Sequence, residues 1–145
     1  TAEVRRFTRA LRPLYLEDLG LAPALELLAK ESGAGFTLVG TPRRVLPDLE
    51  LALYRIAQES LSNARRHAQA TQVEVTLVFA PSGVRLTVSD DGGGFKLPAD
   101  LSSLARSGHF GLMGMQERAQ LVGAQLTLDT GVDQGTSVTA TARLA

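Results

Sequence analysis

A change of period near residue 70 constrains this chain more than any other feature. Before it, over residues 48–67, small and apolar residues recur at helical spacing. Leu49, Leu53, Ile56, Ala57, Ser60, Leu61 and Ala64 form one continuous stripe. After it, residues 72–80 and 83–90 alternate with a period of two. Val73, Val75, Leu77 and Phe79 share one face of the first strand, and Val84, Leu86 and Val88 one face of the second. Pro81-Ser82 between them is a connection of hairpin length and predicts an antiparallel pair. One face of that pair is expected to pack on helices, and the other is more polar.

The remaining segments fit around this centre. Residues 1–12 read as a helix with Val4, Phe7 and Leu11 on one face and arginines on the other, ended by Pro13. It opens without a cap, so it is expected to be the tail of a helix cut from something longer; an ordinary frayed terminal helix is the alternative. Residues 21–32 form a second helix with Gly33 as its cap, 36–39 a short strand, and 41–47 a loop leading to Asp48 as an N-cap. Residues 125–130 and 136–144 alternate as strands, with the turn at Asp133-Gln134-Gly135-Thr136. Residues 96–108 are small, polar and weakly periodic. An irregular connection of about 12 residues inside a domain is usually functional, and it reads as a mobile lid.

The totals exclude several classes of function. A chain of 145 residues with 44% apolar and 21% charged residues is one globular domain with a real core. The formal net charge is zero, which gives no electrostatic reason for a direct nucleic-acid partner. There is no cysteine, so disulfides, thiolate nucleophiles and cysteine metal sites are excluded. Lys30 and Lys96 are the two lysines, and neither lies in a Walker-type phosphate loop. His67 and His109 are too few for a histidine metal cluster.

Three stretches carry candidate chemistry. On the long helix, Glu59, Asn63, Arg66 and His67 make a polar stripe centred roughly 80–90° from the apolar one, so it borders the core. Read alone, it is equally a solvated helix face. Ser89-Asp90-Asp91-Gly92-Gly93-Gly94-Phe95 follows a strand directly. Asp90 at the strand end is an acceptor-only group suited to an exocyclic amino group, and the bare glycine backbone can lie flat against a planar ligand. The same residues also make a plain tight turn. Gly108-His109-Phe110-Gly111-Leu112-Met113-Gly114-Met115 then runs into a helix over 116–122 that ends at Gly123. Glycines there would let phosphates reach the free N–H groups of a helix N-terminus, or would simply serve helix–sheet packing.

Taken in order, Glu59-x-x-x-Asn63, Asp90-x-Gly92-x-Gly94-Phe95, Gly111-x-x-Gly114 and Gly135-Thr136 resemble the GHKL ATPase superfamily of gyrase, heat-shock chaperone, mismatch-repair and sensor-histidine-kinase ATPases. The stretches 58–68 and 108–118, and Leu11-Arg12-Pro13 with residues 16–21, are most similar to histidine kinases of the nitrate- and fatty-acid-sensor class (NarL-partner type).

The resemblance implies an α+β fold: a two-layer α/β sandwich of the Bergerat type, with a mixed, mostly antiparallel sheet on about three helices and an N-terminal helix remnant. Residues 1–20 would be the end of a dimerisation helix and its linker, and 21–145 the catalytic ATP-binding domain. Asp90 would accept from the adenine amino group, with Thr136 assisting through water and Gly135 beside it. Gly92, Gly94 and Phe95 would lie along the nucleotide. Asn63 would ligate Mg²⁺, and Glu59 would polarise the attacking group. Arg66, standing where the family usually carries Lys, would face the phosphates together with His67. His109, Gly111, Leu112, Gly114 and Met115 would shape the phosphate loop, and residues 96–110 would close over ATP.

Neither histidine has the setting of a phosphoacceptor. The resemblance therefore places the acceptor and dimerisation domain upstream of Thr1, names a response regulator as partner, and implies a cytoplasmic catalytic unit whose full-length form can carry a membrane-attached sensor. A non-catalytic nucleotide-binding docking module and a chaperone- or mismatch-repair-type ATPase are the alternatives.

Overall fold

The computed structural model describes residues 14–67, 71–93, 110–132 and 134–144. The expectations for residues 1–13, for the lid, and for Gly94, Phe95 and His109 lie outside them. In chain order the elements are α1 (Leu14–Leu19), α2 (Leu21–Glu31), β1 (Gly35–Val39), α3 (Pro47–His67), β2 (Val73–Ala80), β3 (Gly83–Asp90), α4 (Phe110–Leu121), β4 (Gln125–Thr130) and β5 (Thr136–Arg143). The strands form one five-stranded sheet in the order β1-β2-β3-β5-β4. β1 and β2 are parallel and are joined through α3; the other pairs are antiparallel. This is the expected mixed, mostly antiparallel sheet on helices.

Alternation decides which face is covered. Val75, Leu77 and Phe79 of β2, Val84, Leu86 and Val88 of β3, and Val138, Ala140 and Ala142 of β5 are all buried. Against them lies the predicted stripe of α3, with Leu53, Ile56 and Ala57 at 0% exposure. Each large apolar side chain buried this way contributes about 1.5–3 kcal/mol. The other face of the sheet carries hydroxyls in cross-strand pairs. Thr87 Oγ1 lies 3.3 Å from Thr139 Oγ1, and Ser89 Oγ lies 3.0 Å from Ser137 Oγ. A slip of one residue would exchange these two faces, so the register is firmly specified.

Both α2 and α4 are closed by a glycine turn. α2 ends with Ala34 N–H donating to Ala29 O at 2.8 Å and Gly33 N–H to Lys30 O at 3.2 Å. α4 ends in the same way, with Ala124 to Ala119 at 2.9 Å and Gly123 to Gln120 at 3.2 Å. Both are the paired bonds of a glycine-terminated helix, as the sequence predicts.

Two starts differ from expectation. α3 begins at Pro47, so Asp48 sits inside the first turn and is not the N-cap. Proline fits that first position because its missing N–H would have no helical partner. α4 begins at Phe110, so Gly111 and Gly114 are helical residues and not part of a preceding loop.

Glu50, in the first turn of α3, is a charged residue at 2% exposure. Arg44 from the preceding loop meets it with two bonds, Nε to Oε2 at 3.1 Å and Nη2 to Oε1 at 3.0 Å. The same Nη2 donates to the carbonyl of Glu17 on α1 at 3.0 Å. Leu16, at 2% exposure, seats α1 in the core beside this fork.

Candidate functional site

The parity that buries Val84, Leu86 and Val88 brings Asp90 to the same helix-facing side at the end of β3. Its Oδ1 accepts from Gly92 N–H at 2.9 Å, an Asx turn that orients the carboxylate. Gly92 itself is buried.

Asp91, the next residue, has a different job. It accepts from Thr71 N–H at 2.9 Å, from Gln72 N–H at 2.8 Å and from the Thr71 hydroxyl. Its own N–H donates to Gln72 O at 3.2 Å. The Thr71 hydroxyl first, and the Gln72 N–H after it, hold the Asp91 carboxyl below its ordinary value. Asp91 therefore ties the end of β3 to the approach to β2, while Asp90 is the carboxylate set toward the helix layer.

On the neighbouring strand Thr136 pairs in register with Asp90 across β3 and β5, and with Thr130 across β4 and β5. Asp90, Thr136 and Thr130 thus lie in one row across three strand ends. Gly135 has φ +72°, and a Cβ there would overlap the backbone carbonyl of Asp90. Only glycine admits both conditions, so this turn can close tightly against β3. Thr130 was missed in the sequence. Its Oγ1 lies 3.1 Å from Gly135 O and 2.9 Å from Thr136 Oγ1. Its place opposite Thr136 follows from the hairpin register, which the turn length alone leaves open.

A second group forms where α3 meets α4. A Cβ on Gly111 would overlap the carboxylate of Glu59, so the bare helix backbone makes room for that side chain. Ser60 donates to Ile56 O at 2.8 Å and lies 3.3 Å from Met115 Sδ, which fixes the two helices together. Leu112 and Met115 are buried in the core. A cleft of about 760 Å³ opens beside Glu59 and includes Gly111, Gly114, Arg55, Arg65 and Arg118.

The three arginines outweigh the glutamate and favour an anion. They too escaped the sequence reading, although Arg55, Gln58, Ser62 and Arg65 recur at helical spacing next to the stripe that was singled out. Asn63, half-buried, stands one turn beyond Glu59, and Arg66 and His67 end α3. α3 packs on β3 and β5 as well as on α4, so one helix links the strand-end group to the cleft group.

Residues 48–145 match the family described as histidine kinase-, DNA gyrase B-, and HSP90-like ATPase. The chain is 36% identical over 143 residues to the signal transduction histidine-protein kinase/phosphatase DegS of Brevibacillus brevis, covering 94% of this chain and 36% of that protein. It is 34% identical to the oxygen sensor histidine kinase NreB of Staphylococcus carnosus, covering 94% of this chain and 40% of the relative. It therefore spans well under half the length of these relatives. The histidine kinase domain of the blue-light activated histidine kinase of Erythrobacter litoralis EL346 shares the fold, with a TM-score of 0.61 and 22% identity over 83% of this chain and 56% of that one. With two thirds of its length matched, this chain belongs to the histidine kinase-, DNA gyrase B- and HSP90-like ATPase family.

Proposed function

We propose that this chain is the ATP-binding catalytic domain of a sensor histidine kinase, and that it places Mg-ATP for transfer of the γ-phosphoryl group to a histidine on a dimerisation helix supplied by the rest of the protein. The observation that carries this reading is the pairing of Asp90 with Thr136 at the sheet end, linked by α3 to Glu59 against the head of α4. A carboxylate held by a backbone N–H suits the amino group of adenine. An arginine-lined cleft beside a helix start suits the phosphates.

Phosphoryl transfer needs placement and charge neutralisation more than covalent help. In this reading Asp90 fixes the base, with Thr136 beside it, and Gly92, Gly94 and Phe95 lie along it. Arg66, His67 and His109 meet the phosphates together with the glycines of α4. Glu59 polarises the attacking imidazole. Asn63 would hold Mg²⁺ through its amide oxygen, and the ion would supply positive charge beside the phosphates. Among the described residues no group of three or more acidic, His or Cys residues could hold a metal by itself.

The domain would work in the cytoplasm with a response regulator as downstream partner. No helix among the described residues is long and apolar enough to cross a membrane.

The test is Asp90→Asn. An asparagine Oδ1 can still accept from Gly92 N–H, so the fold should be kept while the charge that fixes the base is lost. Calorimetry should then detect no ATP binding at an unchanged unfolding temperature. Wild-type affinity in the variant rejects the assignment.

A further inference from the structure

β1 stands at one end of the sheet order, so among the described residues it has a strand beside it on one side only. The N–H and C=O groups along its outer side are a template for a further strand, and such edges are usually defended by charge, proline or a bulge. β4, at the opposite edge, carries Asp129. β1 has none of the three. It reads Gly-Phe-Thr-Leu-Val and pairs with β2 one to one over all five residues. Its cover is thin as well. Leu38 shares the helix-facing side with Phe36 and pairs with buried Leu77, yet it is 39% exposed, and Val39 is 48% exposed. The apolar layer thus ends at this edge in a side chain with little over it.

We propose that the β1 edge is a contact surface between two copies of this chain, which pair through it in antiparallel fashion about Thr37. That register gives every residue of both strands a partner. Thr37 meets itself, Phe36 meets Leu38 twice, and Gly35 meets Val39 twice. Phe36 and Leu38 lie on the helix-facing side, so their cross-strand pairs join the apolar layer of one copy to that of the other.

The charges at the two ends of β1 favour the same arrangement. The Glu74 carboxylate lies over Gly35, where a Cβ would overlap it, and accepts from the Thr37 hydroxyl at 2.9 Å. Arg43 sits past the other end. Its Nη2 donates to Ala80 O at 2.7 Å, and its guanidinium carbon is 5.7 Å from the centre of the Phe79 ring. Antiparallel pairing turns the acidic end of each copy toward the basic end of the other, whereas parallel pairing sets like charges side by side. The formal net charge is zero, so no overall repulsion opposes the contact. A single short strand pair buries less than the roughly 1,200 Å² of a stable interface. The association is therefore weak for the free chain and strengthens when two copies are tethered. It does not depend on the nucleotide-binding reading.

The chain has no cysteine, so one introduced thiol reports the contact without background. Thr37→Cys puts two thiols at the two-fold axis, where opposed antiparallel residues stand about 4.5–5.5 Å apart at Cα, a span that a disulfide bridges. Thr127→Cys, exposed on the β4 edge, is the control for random collision. Under copper-phenanthroline oxidation Thr37→Cys should form covalent dimer about tenfold faster than Thr127→Cys, since thiols already held together react as an intramolecular pair. Adding Leu38→Lys charges the bare edge and should bring the rate down to that of the control at an unchanged unfolding temperature. Should that variant not fold, Val39→Lys is read in the same way. Equal rates for Thr37→Cys and Thr127→Cys, or a Thr37→Cys rate that the lysine leaves unchanged, overturns the proposal.

Discussion

The Glu59 carboxylate occupies the space that a side chain at residue 111 would fill. One helix has thus given up a Cβ so that the acidic side chain of another can lie against it. Glycine within a helix costs roughly 1 kcal/mol relative to alanine, so the gap carries a standing penalty. The opposing atoms belong mostly to the end of a flexible side chain, so an inserted methyl would displace Glu59 and leave the two helices in place.

The two glycines of α4 should therefore respond differently to alanine. Nothing lies within 4 Å of a Cβ built on Gly114. Gly114→Ala should raise stability by about 0.8–1 kcal/mol through helix propensity alone. Gly111→Ala should gain less than that, because Glu59 must move. Under the proposed function, Gly111→Ala in the longer protein should also slow phosphoryl transfer about 100-fold, the scale of a misplaced catalytic group. Urea melts and single-turnover labelling read the two effects; equal stabilisation at both positions with full transfer activity would refute the contact.

The fork between Arg44 and Glu50 predicts an asymmetry. Glu50 is at 2% exposure whereas the Arg44 side chain is at 53%. Removing the arginine leaves a carboxylate buried without its partner, and removing the glutamate leaves an arginine that water can solvate. Arg44→Ala should therefore lower the denaturation midpoint more than Glu50→Leu, and the double variant should sit near Glu50→Leu. The reverse order in urea unfolding would mean that Glu50 is not buried in solution.

Asp91 predicts a pH dependence. Its folded value is depressed by the Thr71 hydroxyl and the Gln72 N–H, from an ordinary value of 3.8. A depressed acid contributes stability in full above its unfolded value and loses it as pH falls through the folded one. The unfolding temperature of wild type should therefore drop below about pH 4. In Asp91→Asn the contribution is missing at neutral pH, and the acid limb is correspondingly flatter. Parallel wild-type and variant curves over that range would remove Asp91 from the account.

Asn63 gives a test of the metal role that does not need turnover. Asn63→Ala should weaken nucleotide binding with Mg²⁺ present and change it little in EDTA, since an amide oxygen matters chiefly as an ion ligand. Calorimetry under both conditions decides it, and an equal loss in each argues for a direct contact with nucleotide instead.

Most of the sheet was legible in the chain because alternation is a strong signal when one face is buried. Val84, Leu86 and Val88 give the parity of β3, and that parity alone carries Asp90 to the helix side. The stripe on α3 was legible for the same reason. The start of α4 was not, since glycines read as loop until the Glu59 carboxylate that uses the gap at Gly111 is known. Arg44 and Glu50 were invisible too. Six positions apart across a loop and a helix start, they look like solvated charges, and only the seating of α1 buries one of them. Thr130 lacked a signal because hydroxyl-to-hydroxyl contacts depend on which strand ends fall opposite, and turn length alone does not fix that.

α3 is a single uninterrupted helix of 21 residues, about 30 Å from end to end. Its first turn is clasped to α1 through Glu50 and Arg44, and its far half carries Glu59 and Asn63. Packed along its length on β2, β3 and β5, α3 can shift only as one body, so a displacement of α1 that is felt at Glu50 would be felt at Glu59 and Asn63 as well.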